Sequence, residues 1–181
     1  MTEPASVAPE QLDDHELFDG LSPEELQLVA DICRPMDVKA GQYIIREGAD
    51  DRHLYVLISG AARVEASDAD GRHRELARLE AGAMFGELAL VVGHPRSADV
   101  IADENCAVLQ LDADDFLSLR RSETLVAYKL EHNILESLID RQAELNRQLV
   151  GWIREFESGE SSRNSTDDIA RLRDLAEQWK F

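Results

Sequence analysis

The sequence has 181 residues, of which 44% are hydrophobic and 31% charged, and this composition is typical of one globular domain with appendages. Its formal net charge of −18 argues against nucleic acid and anionic membrane surfaces as partners, because binding to both depends on lysine and arginine. No apolar run approaches the ~18 residues of a transmembrane helix and no secretory signal is found, so the sequence predicts a cytoplasmic protein.

The N-terminal part of the chain predicts two small helices. Residues 1–11 are polar and contain two prolines, so we expect them to be disordered. Residues 12–21 have the apolar spacing of a short helix and turn. The segment 22–25, Ser-Pro-Glu-Glu, predicts the start of a second helix, because a capping serine, a proline and acids are typical of a first turn. This helix is expected to continue through Leu26, Val29, Ala30 and Cys33.

From Met36 the hydrophobic period changes to two, which indicates strands. Glycine-containing turns separate six short strand candidates, at residues 36–38, 43–45, 54–58, 62–65, 74–79 and 107–111. This arrangement predicts an antiparallel sandwich or barrel. The acidic turn at 67–73 suggests calcium, but it lacks the bidentate glutamate and flanking helices of an EF-hand, so a solvated hairpin turn is favoured.

Residues 85–102 contain the residue types that bind a phosphate. Gly86 permits a backbone turn that residues with a Cβ resist, and one helical turn follows at residues 87–90. The first amides of such a turn have no intrahelical partner and, with the positive end of the peptide dipole, favour an anion. A glycine and a proline at 93 and 95 then return Arg96 to the same place, where its guanidinium can donate to two phosphate oxygens.

Glu87 indicates the second half of the ligand. A carboxylate only accepts hydrogen bonds, so it is expected to face hydroxyl groups such as those of a ribose, and phosphate with ribose indicates a nucleotide. The same stretch resembles the phosphate-binding cassette of the cyclic-nucleotide-binding domains, the family of the catabolite activator protein and the regulatory subunits of protein kinase A. That cassette reads approximately Phe-Gly-Glu-Leu-Ala-Leu, a variable spacer and Pro-Arg-x-Ala-x-Val-x-Ala. Its fixed positions are matched by Phe85 to Leu90, Pro95, Arg96, Ala98, Val100 and Ala102.

The resemblance implies three groups of ligand-binding residues. The cyclic phosphate would be bound by Arg96 and by the amides of Ser97 and Ala98. The ribose 2′-hydroxyl would be bound by Glu87, with Gly86 and Leu88 beside it. The walls under the ribose and base would come from Val64 and Leu76.

The resemblance covers roughly residues 12–140 and implies an α+β fold. It would be an antiparallel β-roll (a jelly-roll, or double-stranded β-helix) with N-terminal helices and a long C-terminal helix. The implied ligand is cyclic AMP, which we prefer, or cyclic GMP, and no cofactor is expected.

Nothing in the sequence predicts catalysis, so we expect no enzyme and no metal site. The five histidines are scattered without an HxH or HExxH pair, and no G-x-S-x-G motif occurs. Cys33 and Cys106 form no CxxC pair and are expected to be reduced thiols.

Residues 112–119 predict a short helix, and Ser122 with Glu123 is expected to cap a longer one that ends near Glu157. A first stripe suited to packing on the β-roll consists of Val126, Leu130, Ile134 and Leu138. A second stripe alternates in steps of three and four, at Leu135, Leu138, Gln142, Leu145, Leu149, Trp152 and Phe156. We interpret this second stripe as the contact of a parallel homodimer, and the alternative is an intramolecular helix face.

The family resemblance also gives the long helix a role at the base. In the catabolite activator relatives this helix covers the purine, and the corresponding positions fall near Asp140, Arg141 and Gln142, of which Arg141 and Gln142 are the candidates for contact with the base. A cap of the protein kinase type would instead use an earlier residue such as Tyr128. Residues 158–165 predict a linker and 167–179 a last helix, and this tail is too short and not basic enough for a DNA-reading helix-turn-helix.

The sequence thus predicts a disordered N-terminus (1–11), a β-roll with N-terminal helices (12–122), a hinge and dimerisation helix (123–157) and a linker with a short helix (158–181). We expect a stand-alone cyclic nucleotide receptor whose cassette moves the long helix and so regulates an effector protein. The alternative is a degenerate domain that binds no nucleotide and acts as a protein-interaction module.

Overall fold

Eight short strands form the body of the part of the protein that is described. The computed structural model describes residues 7–9, 12, 15–68, 70–122 and 124–157. Its strands are β1 (Cys33–Val38), β2 (Tyr43–Ile45), β3 (Leu54–Ser59), β4 (Ala62–Ser67), β5 (His73–Leu79), β6 (Met84–Phe85), β7 (Asp99–Ala102) and β8 (Cys106–Leu111). They pair as two four-stranded antiparallel sheets, β1-β8-β3-β6 and β2-β7-β4-β5. The predicted antiparallel β-roll is therefore confirmed.

The hydrophobic core lies between the two sheets, because each sheet contributes side chains to the same buried cluster. Leu57 and Val108 of the first sheet are 0% and 1% exposed, and Ala102 of the second is 0% exposed. Burial of an aliphatic side chain of this size contributes about 1.5–3 kcal/mol. Strand β5 lies at the edge of its sheet and exposes all of its residues except Leu79, so it adds little to this core.

All six predicted strands are present, and two further strands, β6 and β7, were missed. Strand β6 lies at the border of residues 85–102 and β7 lies within them, and for this segment the sequence predicted a ligand-binding motif but no strand. All four residues of β7 are buried, and only three of them are apolar, so the apolar run is too short to indicate a strand by itself. Because β7 pairs with both β2 and β4, the second half of the motif is held in the middle of a sheet.

The N-terminal helices agree with the sequence except at one end. A 3-10 turn covers Glu16–Phe18, and helix α1 runs over Pro23–Ile32. Ser22 caps α1, as predicted, and does so through a reciprocal pair of hydrogen bonds with Glu25. Cys33 was expected to continue the helix, but it has extended dihedral angles and begins β1. Disorder was predicted for residues 1–11, and most of these residues lie outside the described part of the chain. Val7, which is described, is buried.

Up to residue 157, where the described part of the chain ends, three more helices follow: α2 (Glu87–Val92), α3 (Ala113–Arg121) and α4 (Leu125–Glu157). The side chain of Asp112 caps α3 by accepting from the Asp114 amide. Ser122 was predicted to cap the long helix, and this is wrong. Its amide and hydroxyl donate to carbonyls of α3, so Ser122 ends α3 instead.

The chain divides into two compact units, residues 1–134 and 135–181, and the first turns of α4 belong to the first unit. Three of the four residues of the predicted stripe are buried, since Val126, Leu130 and Ile134 are at most 3% exposed, whereas Leu138, in the second unit, is half-buried. Polar contacts add to this packing. Lys129 Nζ lies 2.6 Å from Glu25 Oε2, and Asn133 Nδ2 donates to the carbonyls of Leu17 at 2.8 Å and Asp19 at 3.1 Å.

The second unit contains the rest of α4, which carries a row of exposed apolar side chains. Leu135, Ile139, Leu145, Val150 and Ile153 are 44–64% exposed within the protein. The side chains of Trp152 and Phe156, the linker at 158–165 and the helix predicted at 167–179 lie outside the described residues. Over the described ranges, no helix combines the length and apolar character required to cross a bilayer.

Candidate functional site

The site begins where strand β6 turns into helix α2. Gly86 makes this turn with a φ of +83°, a conformation that residues with a Cβ rarely adopt. A Cβ on Gly86 would lie 2.7 Å from Arg96 Nη1 and 2.8 Å from the His53 carbonyl oxygen. Both the backbone angle and the close approach of the His53 carbonyl oxygen therefore require glycine here.

Glu87 follows directly as the first residue of α2 and is only 4% exposed. A carboxylate rarely lies in the interior unless it is paired, because removing its charge from water is costly. The position at the positive end of a helix, even a short one, reduces this cost. Leu88, the next residue, is 48% exposed. Glu87 thus provides a buried hydrogen-bond acceptor, whereas Leu88 exposes an apolar side chain at the surface.

Arg96 is the buried cation of the site, with 5% of its surface exposed. Its Nη1 donates to the Gly86 carbonyl oxygen at 3.0 Å, and its Nη2 donates to the His53 carbonyl oxygen at 2.8 Å. Its Nε donates to Asp51 Oδ1 at 3.0 Å, and Nη2 makes a second, short contact with the same oxygen. The structure therefore brings Gly86, from the first part of the predicted motif, into direct contact with Arg96, from its second part.

The loop between β2 and β3, residues 46–53, holds Arg96 through its backbone as well. The Arg96 amide donates to the Ala49 carbonyl oxygen at 2.9 Å, and the Gly48 amide donates to the Arg96 carbonyl oxygen at 2.8 Å. With Asp51 and His53, this loop contacts Arg96 at four of its residues. The β2–β3 loop is thus as much a part of the site as residues 85–102.

Two stacked aromatic rings lie next to the guanidinium. Tyr55 and Phe85 have ring centroids 5.4 Å apart and an interplanar angle of 17°. The guanidinium carbon of Arg96 is 5.6 Å from the Tyr55 centroid, within the range of a cation–π interaction. Burial raises the pKa of Tyr55 to about 12, and the charge of Asp51 acts in the same direction. Tyr55 is therefore a neutral phenol that supports the cation and does not exchange protons with a ligand at neutral pH.

The segment after Arg96 leads from the surface into strand β7. Ser97 is exposed and Ala98 is half-buried. Asp99, which the sequence did not single out, is 6% exposed and accepts a 2.7 Å hydrogen bond from the Glu47 amide. This bond connects the β2–β3 loop to the start of β7. The loop therefore holds residues 96–99 at both ends, through Arg96 and through Asp99.

The predicted base and ribose walls lie on neighbouring strands. Val64 of β4 is half-buried and packs on the core, whereas Leu76 of β5 is 64% exposed. Leu76 stands at a bulge, because Val64 pairs with Ala77 and the next residue of β4 pairs two positions earlier in β5. The bulge leaves an apolar side chain projecting at the edge of the sheet. The role of both residues as walls stays a prediction.

The predicted capping residues lie on helix α4. Arg141 and Gln142 are exposed residues of the second unit, and Tyr128 is 68% exposed in the first. Their contact with a base stays a prediction.

The described residues offer neither a metal centre nor a reactive thiol. They contain no group of three or more His, Cys, Asp and Glu side chains arranged to hold a metal ion. Cys33 and Cys106 are buried and free, and burial raises the pKa of Cys33 to about 12 and also raises that of Cys106. The acidic hairpin turn uses Asp68 internally, since its carboxylate accepts from two amides and from Arg74.

Comparison with known proteins matches residues 35–123 to the model of the cyclic nucleotide-binding domain. The chain is 34% identical over 136 residues to a cyclic AMP receptor protein of Thermus thermophilus, covering 75% of this chain and 62% of that protein. It is 36% identical over 108 residues to a cAMP-dependent protein kinase regulatory subunit of Aspergillus fumigatus, covering 60% of this chain and 25% of that protein.

Among solved structures, the chain is similar to the regulatory domain of Toxoplasma gondii protein kinase A crystallised with cAMP. The TM-score is 0.60 at 31% identity, and the match covers 71% of this chain and 48% of that one. The chain spans less than two thirds of the length of each of these three relatives.

Proposed function

Residues 35–123 form a cyclic nucleotide-binding domain, which places the chain in that family, and we propose that it binds cyclic AMP in preference to cyclic GMP. Members of this family are regulatory and not catalytic modules, so we propose a receptor that performs no chemistry on its ligand. The observation that carries the proposal is the pair of buried ionic side chains next to Gly86: Glu87 follows it in the chain, and Arg96 donates to its carbonyl oxygen. Neither charge is required for packing a core, and each is costly to bury.

Each proposed contact follows from the donors and acceptors available. The Arg96 guanidinium donates to the equatorial oxygens of the cyclic phosphate, and the Ser97 and Ala98 amides complete that end. Glu87 accepts from the ribose 2′-hydroxyl, between Gly86 and Leu88. Val64 and Leu76 border the ribose and base, with Arg141 and Gln142 as the proposed cap. The names of the Thermus and Toxoplasma proteins support cyclic AMP as the ligand.

We propose that α4 transmits the occupancy of the site to an effector protein. Its first turns are tied to α1 and to the 3-10 turn by Lys129 and Asn133, so a shift of α4 moves these elements with it. A ligand can shift such an equilibrium only through a difference in its affinity for the two positions of the helix. The second stripe of α4, of which Leu135 and Leu145 are 53% and 50% exposed, is suited to a second copy of this chain, as a parallel homodimer.

One observation favours the alternative function, a degenerate domain that acts only as a protein-interaction module. Arg96 already has a carboxylate partner, Asp51, from within the chain. In a degenerate domain this ion pair would be purely structural. In a receptor the same pair has to coexist with, or give way to, a phosphate.

Calorimetric titration of the chain with cyclic AMP and cyclic GMP tests the proposal. We expect saturable binding of at least one of them, and Arg96→Ala should weaken it at least ~100-fold, because two charge-assisted hydrogen bonds of about 1.5–3 kcal/mol each are lost. Arg34→Ala is the matched control, since it removes the same charge from an arginine that is 64% exposed and paired with Asp115. Circular dichroism confirms that each variant is folded. Absence of binding by the wild-type chain to either nucleotide contradicts the proposal.

A further inference from the structure

The donors of Arg96 are almost completely engaged by the protein itself. A guanidinium has five N–H groups. Two of them, one on Nε and one on Nη2, point to Asp51 Oδ1, while the carbonyl oxygens of His53 and Gly86 each accept one more. An anion that takes hydrogen bonds from Arg96 must therefore share the guanidinium with Asp51 or replace it.

Asp51 and Arg96 differ in their access to water. The Arg96 side chain is 3% exposed, whereas the Asp51 side chain is 34% exposed. The carboxylate is thus the half of the ion pair that an approaching ligand can reach. It also cancels the formal charge of the guanidinium, so an anion that contacts Arg96 meets a nearly neutral pair and not an isolated cation.

Repulsion from Asp51 depends on how much negative charge the ligand carries. A cyclic phosphodiester has one ionisable oxygen and a charge of −1, whereas a terminal phosphomonoester carries about −1.5 to −2 at pH 7. Coulomb repulsion is proportional to the ligand charge at a given distance. A carboxylate beside the phosphate therefore penalises the monoester about twice as much, in free energy, as the cyclic diester.

We infer that Asp51 is a specificity-determining residue, which lets the site accept a singly charged cyclic phosphodiester and reject doubly charged nucleoside monophosphates. This inference rests on the proposed function. Asp51 lowers the affinity for the cyclic nucleotide to some extent, and in return it lowers the affinity for the open-chain product of its hydrolysis much more. Glu87 adds a second carboxylate to the same site, and this one is buried, which increases the importance of ligand charge.

The test compares the Kd values of cyclic AMP and 5′-AMP for the wild-type chain and for Asp51→Asn, which keeps the shape and an acceptor oxygen but removes the charge. If the loss of repulsion tightens cyclic AMP binding about 10-fold, the doubly charged 5′-AMP should gain roughly the square of that factor, about 100-fold. The preference for cyclic AMP over 5′-AMP then falls about 10-fold. Asp50→Asn, at the exposed neighbouring position, makes the same change in net charge and should leave the preference within about twofold.

A second measurement needs no variant and covers the case that Asp51→Asn fails to fold. The methyl ester of 5′-AMP is open-chain and singly charged, so the wild-type site should bind it more tightly than 5′-AMP in spite of its larger size. An ester that binds no better than 5′-AMP overturns the inference, as does an unchanged or increased preference in folded Asp51→Asn. Both of these outcomes leave cyclic nucleotide binding intact. Failure of the proposed function would instead appear as no cyclic AMP or cyclic GMP binding in any variant.

Discussion

Gly86 gives the sharpest test of the site geometry, through the substitution Gly86→Ala. An alanine at a φ of +83° costs about 1–2 kcal/mol in backbone strain alone. The new Cβ would also lie 2.7 Å from Arg96 Nη1 and 2.8 Å from the His53 carbonyl oxygen, closer than real Cβ contacts. Inserting a methyl group into such a packed place costs about 1–3 kcal/mol more. We expect a total destabilisation of roughly 2–5 kcal/mol.

Gly71→Ala separates the two contributions. Gly71 has a similar φ of +76°, but a Cβ there would meet nothing within 4 Å. It should therefore show the backbone cost alone. Urea denaturation followed by circular dichroism, with linear extrapolation, measures both free energies of unfolding. The reasoning fails if Gly86→Ala is no more destabilising than Gly71→Ala, because the contact with the His53 carbonyl oxygen would then contribute nothing.

Two further predictions concern a buried histidine and helix α4. Burial lowers the pKa of His15 below 6.5, and its ring accepts from the Leu17 amide at Nδ1, so the unfolded chain takes up a proton before the folded one does. The free energy of unfolding should therefore fall as the pH decreases from 6.5 towards the folded pKa, by up to about 1.4 kcal/mol per pH unit. Denaturation curves should show this fall for the wild type and for His94→Gln, which changes an exposed histidine. The fall should be absent in His15→Gln. On α4, Leu149→Glu should raise the dimer dissociation constant at least ~100-fold in sedimentation velocity, because the proposed dimer buries this leucine in both copies and each burial contributes about 1.5–3 kcal/mol. Gln148→Glu, ~100° away around the helix, should leave the dimer intact, and a wild-type monomer contradicts the homodimer.

Features with a local cause could be predicted from the sequence. The Ser22 cap of α1 depends on residues within one helical turn, and strand β3 depends on a run of neighbouring apolar residues, Leu54 to Ile58, bounded by turns. Gly86, Glu87 and Arg96 were found because the motif that contains them is continuous in the chain. Where two local signals compete, the prediction was wrong, as at Ser122, whose hydroxyl could begin one helix or end another.

Features that depend on distant residues could not be predicted in this way. Asp51 lies 45 positions before Arg96, and nothing in the turn around it distinguishes it from the neighbouring Asp50. The burial of Asp99 follows from the pairing of β7 between β2 and β4, which is a property of the sheet and not of the strand. Tyr55 was assigned to a strand correctly, but its stacking on Phe85 beside a guanidinium requires the two chain segments to meet.

The attachment of Arg96 to the β2–β3 loop has a consequence for chimeric proteins. Grafting residues 85–102 alone onto another β-roll would transfer the arginine without the carbonyl groups of Ala49 and His53 and without the Asp51 carboxylate that orient it. The transplanted side chain would then adopt the orientation that the host loop imposes, and its ligand preference would follow the host. A transferable recognition unit of this protein therefore consists of two discontinuous segments, residues 46–55 and 85–102, which have to be exchanged together.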